Sequence, residues 1–243
     1  IFITWLSFYA QEIPSYPPEG YGIRWYGEAL RNDRFIDAFV LSFQLGLIST
    51  AIGLAVALPA ALGLVRLRFA GRDGFANFLI LPLIIPGIVL GLALYIFQVE
   101  IEIATGLPII GSIWALVWGH VLLVIPWTVR LITASLVGFD RTLEEAAMSL
   151  GANRFTTFRR VTMPAILPGI VAGAMFGFVS SFGSLEVRCF LVGPGNTTLP
   201  IAILQYLRWK IDPTIAAISV LQIAVIAVAM LVTDRFVKLS RVV

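Results

Sequence analysis

Charge is what this sequence has least of: Asp, Glu, Lys and Arg make up 13% of its 243 residues, against about 25% in a soluble domain. With 59% hydrophobic residues and a mean hydropathy of +0.94, the chain has too little polar surface to cover a water-borne fold. Cysteine is almost missing. Cys189 stands alone, which excludes an intrachain disulfide, a CxxC redox pair and a cysteine-built zinc site. One histidine, His120, leaves no catalytic dyad and no histidine metal cluster, so no catalytic or metal-binding residue is assigned. The sequence also lacks G-x-x-x-x-G-K-[ST], H-E-x-x-H and G-x-S-x-G, so the chain has no phosphate-cradling loop and no common hydrolase signature. Any ATP chemistry, with its Mg, belongs to a partner chain. No basic run interleaved with aromatics is present, which argues against a nucleic-acid partner.

What the chain has instead is long uncharged runs. Residues 38–65, 76–99, 161–185 and 213–233 contain no Asp, Glu, Lys or Arg. Residues 103–129 are also uncharged, but Gly106, Pro108 and Gly111 break the start, so the helix is expected from Ser112 to about Leu136, with Arg130 reaching for the surface. Each run meets the roughly 20 residues that a bilayer crossing needs. Helices satisfy the main chain in lipid, and the polar–apolar alternation of a membrane strand is missing. The opening run, Ile1 to Ala10, is too short to cross and reads as the end of a first transmembrane helix. Residues 189–207 are apolar too, but Gly193-Pro194-Gly195-Asn196 and Pro200 predict a structured loop or re-entrant element there. The expectation is an all-α integral membrane protein with a single transmembrane domain over 1–243, built from five complete helices and one partial helix.

The basic residues divide unevenly between the loops. Arg66, Arg68, Arg72, Arg130, Arg141, Arg154, Arg159, Arg160, Arg235, Lys238 and Arg241 fall on one side; Arg24, Arg31, Arg34, Arg188, Arg208 and Lys210 fall on the other, beside nine of the fourteen acids. Lys and Arg collect in cytoplasmic loops. The first group is therefore expected inside with the C-terminus, and loops 11–37, 100–111 and 186–212 outside.

The longest predicted cytoplasmic loop, about 138–164, is the most informative. Thr142-Leu143-Glu144-Glu145 has the form of a capping box in which Thr142 caps the amides and Glu145 reaches back. A short helix should follow through Ala146 and Ala147 and stop at Gly151, a left-handed cap. Asn153 should cap a second helix that runs to about Thr162 and ends at Pro164. Glu145-Ala146-Ala147, Gly151 and Val161-x-Met163-Pro164, at this spacing, resemble the EAA loop of ABC importer permeases, with Val161 and Met163 where that family has Ile and Leu. The resemblance covers nearly the whole chain. It implies a six-helix type I permease core whose first helix is incomplete here, and a cytoplasmic coupling helix-turn-helix that docks on an ATPase subunit through Glu145, Ala146, Ala147, Gly151, Arg154 and Pro164. It further implies a second permease subunit (a paralogue), two ATPase subunits, an extracytoplasmic solute-binding protein and a place in the bacterial inner membrane.

Within the type I importers the chain is similar to the polyamine permeases, on Trp114, His120 and Pro126, on Gly138-Phe139-Asp140 and on Gly193-Pro194. That group carries adjacent acids where Gly183 and Ser184 stand here, and Glu186 and Arg188 follow instead. A site with one charge of each sign suits a zwitterion or a monovalent organic ion, with a polyamine as the alternative solute. His120, Trp127, Ser184, Glu186 and Arg188 are the candidates for the translocation path, since an ionisable group inside a span is a functional candidate by default. Pro82 and Pro86-Gly87 should interrupt the third helix. Gly169, Gly173 and Gly177 recur every four residues and predict close helix packing. Two other readings are weaker. A secondary transporter would want an intramembrane ion relay, and an intramembrane enzyme would want catalytic groups the sequence does not supply.

Overall fold

Uncharged runs satisfy their own main chain as helices, and the computed structural model, which describes residues 1–193 and 195–237, is helical along most of its length. The elements are α1 (Phe2–Leu6), α2 (Arg24–Arg31), α3 (Asp33–Arg66), α4 (Arg72–Ile80), α5 (Gly87–Thr105), α6 (Ile113–Val137), α7 (Thr142–Ser149), α8 (Arg154–Thr157), α9 (Met163–Gly183), α10 (Arg188–Leu191), α11 (Leu199–Leu207) and α12 (Thr214–Val237). Five helices among the described residues are long and apolar enough to cross a membrane: Asp33–Arg66, Gly87–Thr105, Ile113–Val137, Arg154–Gly183 and Thr214–Arg235. Pro194, Lys238 and Arg241, used above, lie outside the described residues.

Several boundaries differ from the sequence expectation. The opening helix stops at Leu6, where the Ser7 hydroxyl donates to the Thr4 carbonyl and shares a hydrogen bond with the Tyr26 hydroxyl. The chain then folds back so that Tyr9 pairs with Tyr21, and Trp25, fully buried, donates its indole N–H to the Tyr9 carbonyl at 2.6 Å. The run 76–99 is not one helix. A 3₁₀ turn, Leu81–Leu83, follows α4, and the crossing helix begins after Pro86 and continues to Thr105. Proline supplies no amide and crowds the preceding turn, so the break falls where Pro82 and Pro86 predict it. The stretch after Cys189 holds more helix than expected. Pro200 lies in the first turn of α11, where a missing amide costs nothing because no intrahelical acceptor is available.

The described residues form two compact units, each gathered from separate stretches. One comprises Ile1–Gly46, Gly87–Gly119 and Phe182–Met230; its core holds Ala29, Phe35, Ala38, Leu199, Ala202 and Ile218. The other comprises Leu47–Pro86, His120–Ser181 and the stretch from Leu231, around Ala57, Ala61, Leu64, Val129, Ile132, Leu136 and Ile166. In the second unit α9 lies against α6 along the glycine stripe. A Cβ at Gly173 would stand 3.0 Å from the Thr128 Cα, and one at Gly177 2.7 Å from Val124 Cγ1, while Gly169 faces Ser135 and the Leu131 carbonyl. These glycines let two backbones approach closely, which suits helix association in lipid.

The loops expected outside all belong to the first unit, and those expected inside belong to the second. Cys189 in the first unit and Ser149 in the second are both exposed. A membrane-impermeant maleimide applied to intact cells is therefore expected to label native Cys189 and to spare a thiol introduced by Ser149→Cys. Labelling of position 149 with Cys189 protected would reverse the orientation.

Candidate functional site

The segment from Gly138 to Pro164 is built by local hydrogen bonding. The capping box is not formed. α7 already includes Thr142, and the carboxylate of Asp140 accepts the Thr142 amide at 2.9 Å, two residues before the expected cap. That backbone hydrogen bond, with a second from the Thr142 hydroxyl, holds the Asp140 carboxyl below its usual range. Glu145 is exposed, and its amide closes the turn to the Arg141 carbonyl at 3.2 Å. Aspartate outcompetes threonine here because its short side chain reaches back to the amide two residues on, as in an Asx turn.

The end of α7 follows the sequence expectation. Gly151 has φ +89°, its amide donates to the Met148 carbonyl at 3.0 Å, and the Ala152 amide donates to the Ala147 carbonyl at 3.1 Å. These two bonds make a Schellman cap, which satisfies two of the helix's otherwise orphaned carbonyls. The Asn153 side chain then accepts the Thr156 amide at 2.8 Å and starts α8. Pro164 does not end this second helix. Residues Phe158–Thr162 form a π turn that carries α8 directly into α9, with Pro164 exposed at its second position. The wider turn opens the i−4 carbonyl position that the proline ring would otherwise strike.

Glu144, rather than Glu145, carries the long-range contacts. Its carboxylate forms an ion pair with Arg66, the last residue of α3, and accepts the hydroxyl of Thr162, a fully buried residue of the π turn. Arg141 adds a hydrogen bond to the Val65 carbonyl at 3.1 Å, one of the carbonyls at the α3 terminus. Around this anchored base the loop exposes Ala146, Arg154 and four large apolar side chains, Leu143, Met148, Leu150 and Phe155, with Leu150 91% exposed.

The path candidates fall in separate units. His120 on α6 is fully buried in the second unit, and Trp127, seven residues on, stacks on Phe176 of α9 with ring centroids 5.5 Å apart. Ser184, Glu186 and Arg188 belong to the first unit, where Gly87, Gly91 and Gly119 make room for residues 186–191. A methyl group on Gly87 would overlap the Glu186 carboxylate, and one on Gly91 would lie 3.0 Å from the Val187 Cα. Glu186 is exposed; Ser184 is half-buried. Arg188 does not share their surface. Fully buried, it donates to the Ser42 hydroxyl oxygen on α3 at 3.1 Å, and the same oxygen accepts the Leu199 amide at 2.8 Å. Burial lowers its pKa to about 9, so it stays charged at neutral pH. The expected pair of accessible opposite charges is therefore reduced to one carboxylate. Ser42 and Glu144 went unmarked in the sequence because their partners are remote in the chain.

Comparison with known proteins places this architecture. The family described as "Binding-protein-dependent transport system inner membrane component" matches residues 49–241. The chain is 33% identical over 210 residues to the putrescine transport system permease protein PotI of Escherichia coli (strain K12), covering 86% of this chain and 75% of that protein. It is 26% identical over 219 residues to the spermidine/putrescine transport system permease protein PotC of the same strain, covering 90% and 80%. Its fold matches a chain of the inward-facing MetNI methionine ABC transporter, with a TM-score of 0.68, 19% identity and coverage of 84% and 94%. It also matches a chain of a bacterial ABC transporter involved in import of the acidic polysaccharide alginate, with a TM-score of 0.70, 16% identity and coverage of 97% and 89%.

Proposed function

The chain belongs to the binding-protein-dependent transport system inner membrane components, and from that premise we propose that it is one permease half of an ATP-driven importer of a small organic amine. It works as a single transmembrane domain with its C-terminus in the cytoplasm. A second, paralogous permease subunit, two ATPase subunits that carry ATP and Mg, and an extracytoplasmic binding protein complete the machine. The observation that carries this reading is the helix–glycine–helix loop, rigidly based yet apolar at its tip. A free-standing cap on a helix bundle has no need to expose Leu143, Met148, Leu150 and Phe155 together, whereas a docking surface does. Ala146 and Ala147 let a partner approach the α7 backbone, and Arg154 and Glu145 offer charges at the rim.

The solute class follows from the first unit. Arg188 is committed to Ser42 beneath the surface, which leaves Glu186 as the exposed charge of the 183–188 segment, beside the break that precedes α5. A carboxylate held near low-dielectric surroundings favours a cation, and an unpaired charge there costs several kcal/mol. The printed functions of the permeases PotI and PotC support the same class. A solute with one or two amines now fits better than the zwitterion expected from a plus–minus pair.

The test is substrate-stimulated ATP hydrolysis by the reconstituted complex with its own binding protein, comparing putrescine and spermidine with betaine and neutral amino acids. Stimulation by amines, reduced about tenfold or more in Glu186→Gln, is the expected result, since hydrogen bonds to charged groups are the strong ones. Stimulation by zwitterions alone would overturn the solute class. Uptake driven by an ion gradient without ATP would overturn the importer reading in favour of a secondary transporter.

A further inference from the structure

α7 has eight residues and no side-chain cap at its start. A helix this short is marginal unless it is held from outside. Its holding points all come from the elements behind it: Arg141 on the Val65 carbonyl, and Glu144 on both Arg66 and Thr162. Those partners occupy the C-terminal end of α3 and the π turn that feeds α9. One carboxylate thus ties together three elements of the second unit that are otherwise separate in sequence, 78 residues apart on one side and 18 on the other. The pair is sheltered, with the Glu144 side chain 14% exposed and that of Arg66 30% exposed. Meanwhile the apolar residues of the loop face away from it, into the open.

We propose that Glu144, clasped between Arg66 and Thr162, is the positioning residue that passes movement of the docked loop to α3 and α9 at once. This rests on the docking role proposed above for the loop. Glu144 touches neither solute nor nucleotide. It makes α7 a rigid extension of two membrane helices, so that displacement of the loop cannot be absorbed by α7 tilting on its own. A carboxylate suits this role because it accepts from the guanidinium and the hydroxyl simultaneously, whereas an amide offers one acceptor and a competing donor. Without the clasp, the loop can still present Leu143, Met148, Leu150 and Phe155 to a partner.

The experiment uses the complete complex in proteoliposomes and reads solute imported per ATP hydrolysed, alongside ATPase co-purification with the permease. In Glu144→Gln and in Arg66→Gln the ratio is expected to fall about tenfold, the lower end of what a hydrogen bond to a charged group sustains, while the ATPase still co-purifies. In the double variant Glu144→Gln/Arg66→Gln the loss should match either single change, since both break one unit. The charge exchange Glu144→Arg/Arg66→Glu should recover part of the ratio. A normal ratio in Glu144→Gln overturns the proposal. So does strict additivity in the double variant, or failure of the exchange variant to improve on the singles. If the native complex itself shows no ATP-driven import, it is the importer reading that fails, a different outcome from these.

Discussion

Gly151→Val is expected to abolish ATP-driven uptake while leaving the chain in the membrane at its normal level. Gly151 sits at φ +89°, and the two bonds of the Schellman cap depend on that conformation. An L-residue pays about 1–2 kcal/mol to enter the left-handed region, and a β-branched one pays more. α7 cannot draw that energy from its own eight residues, so the turn should open and the angle between α7 and α8 should be lost. No atom lies within 4 Å of a Cβ built on Gly151, so conformational strain rather than collision is the cause. This separates the explanation from crowding by a simple series. Uptake should follow Gly ≥ Asn > Ala > Val, because asparagine tolerates the left-handed region and valine does not. Transport assays on membranes with matched protein levels read the series. Full uptake by the valine variant would remove this turn from the coupling path.

The second large effect is on assembly rather than coupling. Gly173→Leu should lower the melting midpoint of the detergent-solubilised protein sharply and reduce its level in the membrane. The Cβ would meet the Thr128 backbone at 3.0 Å, and backbone cannot step aside as a flexible side chain can. Overpacking of this kind costs about 1–3 kcal/mol, and in lipid the loss falls on close packing, the main force that joins helices there. Gly63→Leu on α3 is the control, since a Cβ at Gly63 has open space around it. Equal behaviour of the two variants would show that the α6–α9 contact is not the one described.

The sequence reading reached different depths in different places. Helix positions were legible wherever the cost of burying charge dictates them: Ser112 to about Leu136 was expected, and α6 runs Ile113–Val137. Gly169, Gly173 and Gly177 were legible because a period of four on a helix is itself a surface. Gly151 and Asn153 were legible because caps are local chemistry. Glu144 was not, since local reasoning assigned the loop's acid to the capping box at Glu145, and nothing in one sequence connects position 144 to Arg66. Arg188 was misjudged for the same reason: its fixed point, Ser42, lies 146 residues away. Pro164 was read as a stop because proline forbids an ordinary α turn, and the π turn is the exception that accommodates it.

That π turn sets a rotational phase. From Arg154 to Gly183 the chain is one continuous helical run of 30 residues, about 45 Å long at 1.5 Å per residue. A π turn holds one residue more than an α turn, and each residue in a helix rotates the chain by about 100°. The heading of α8, and with it Phe155 and Arg154, is therefore fixed by the number of residues between Phe158 and Thr162 rather than by any contact in the loop. Loss of one residue there would leave the glycine face of α9 where it is and swing the cytoplasmic tip by nearly a third of a turn. The length of this five-residue stretch acts as an indexing mark between the membrane-buried and the docking parts of the same rod.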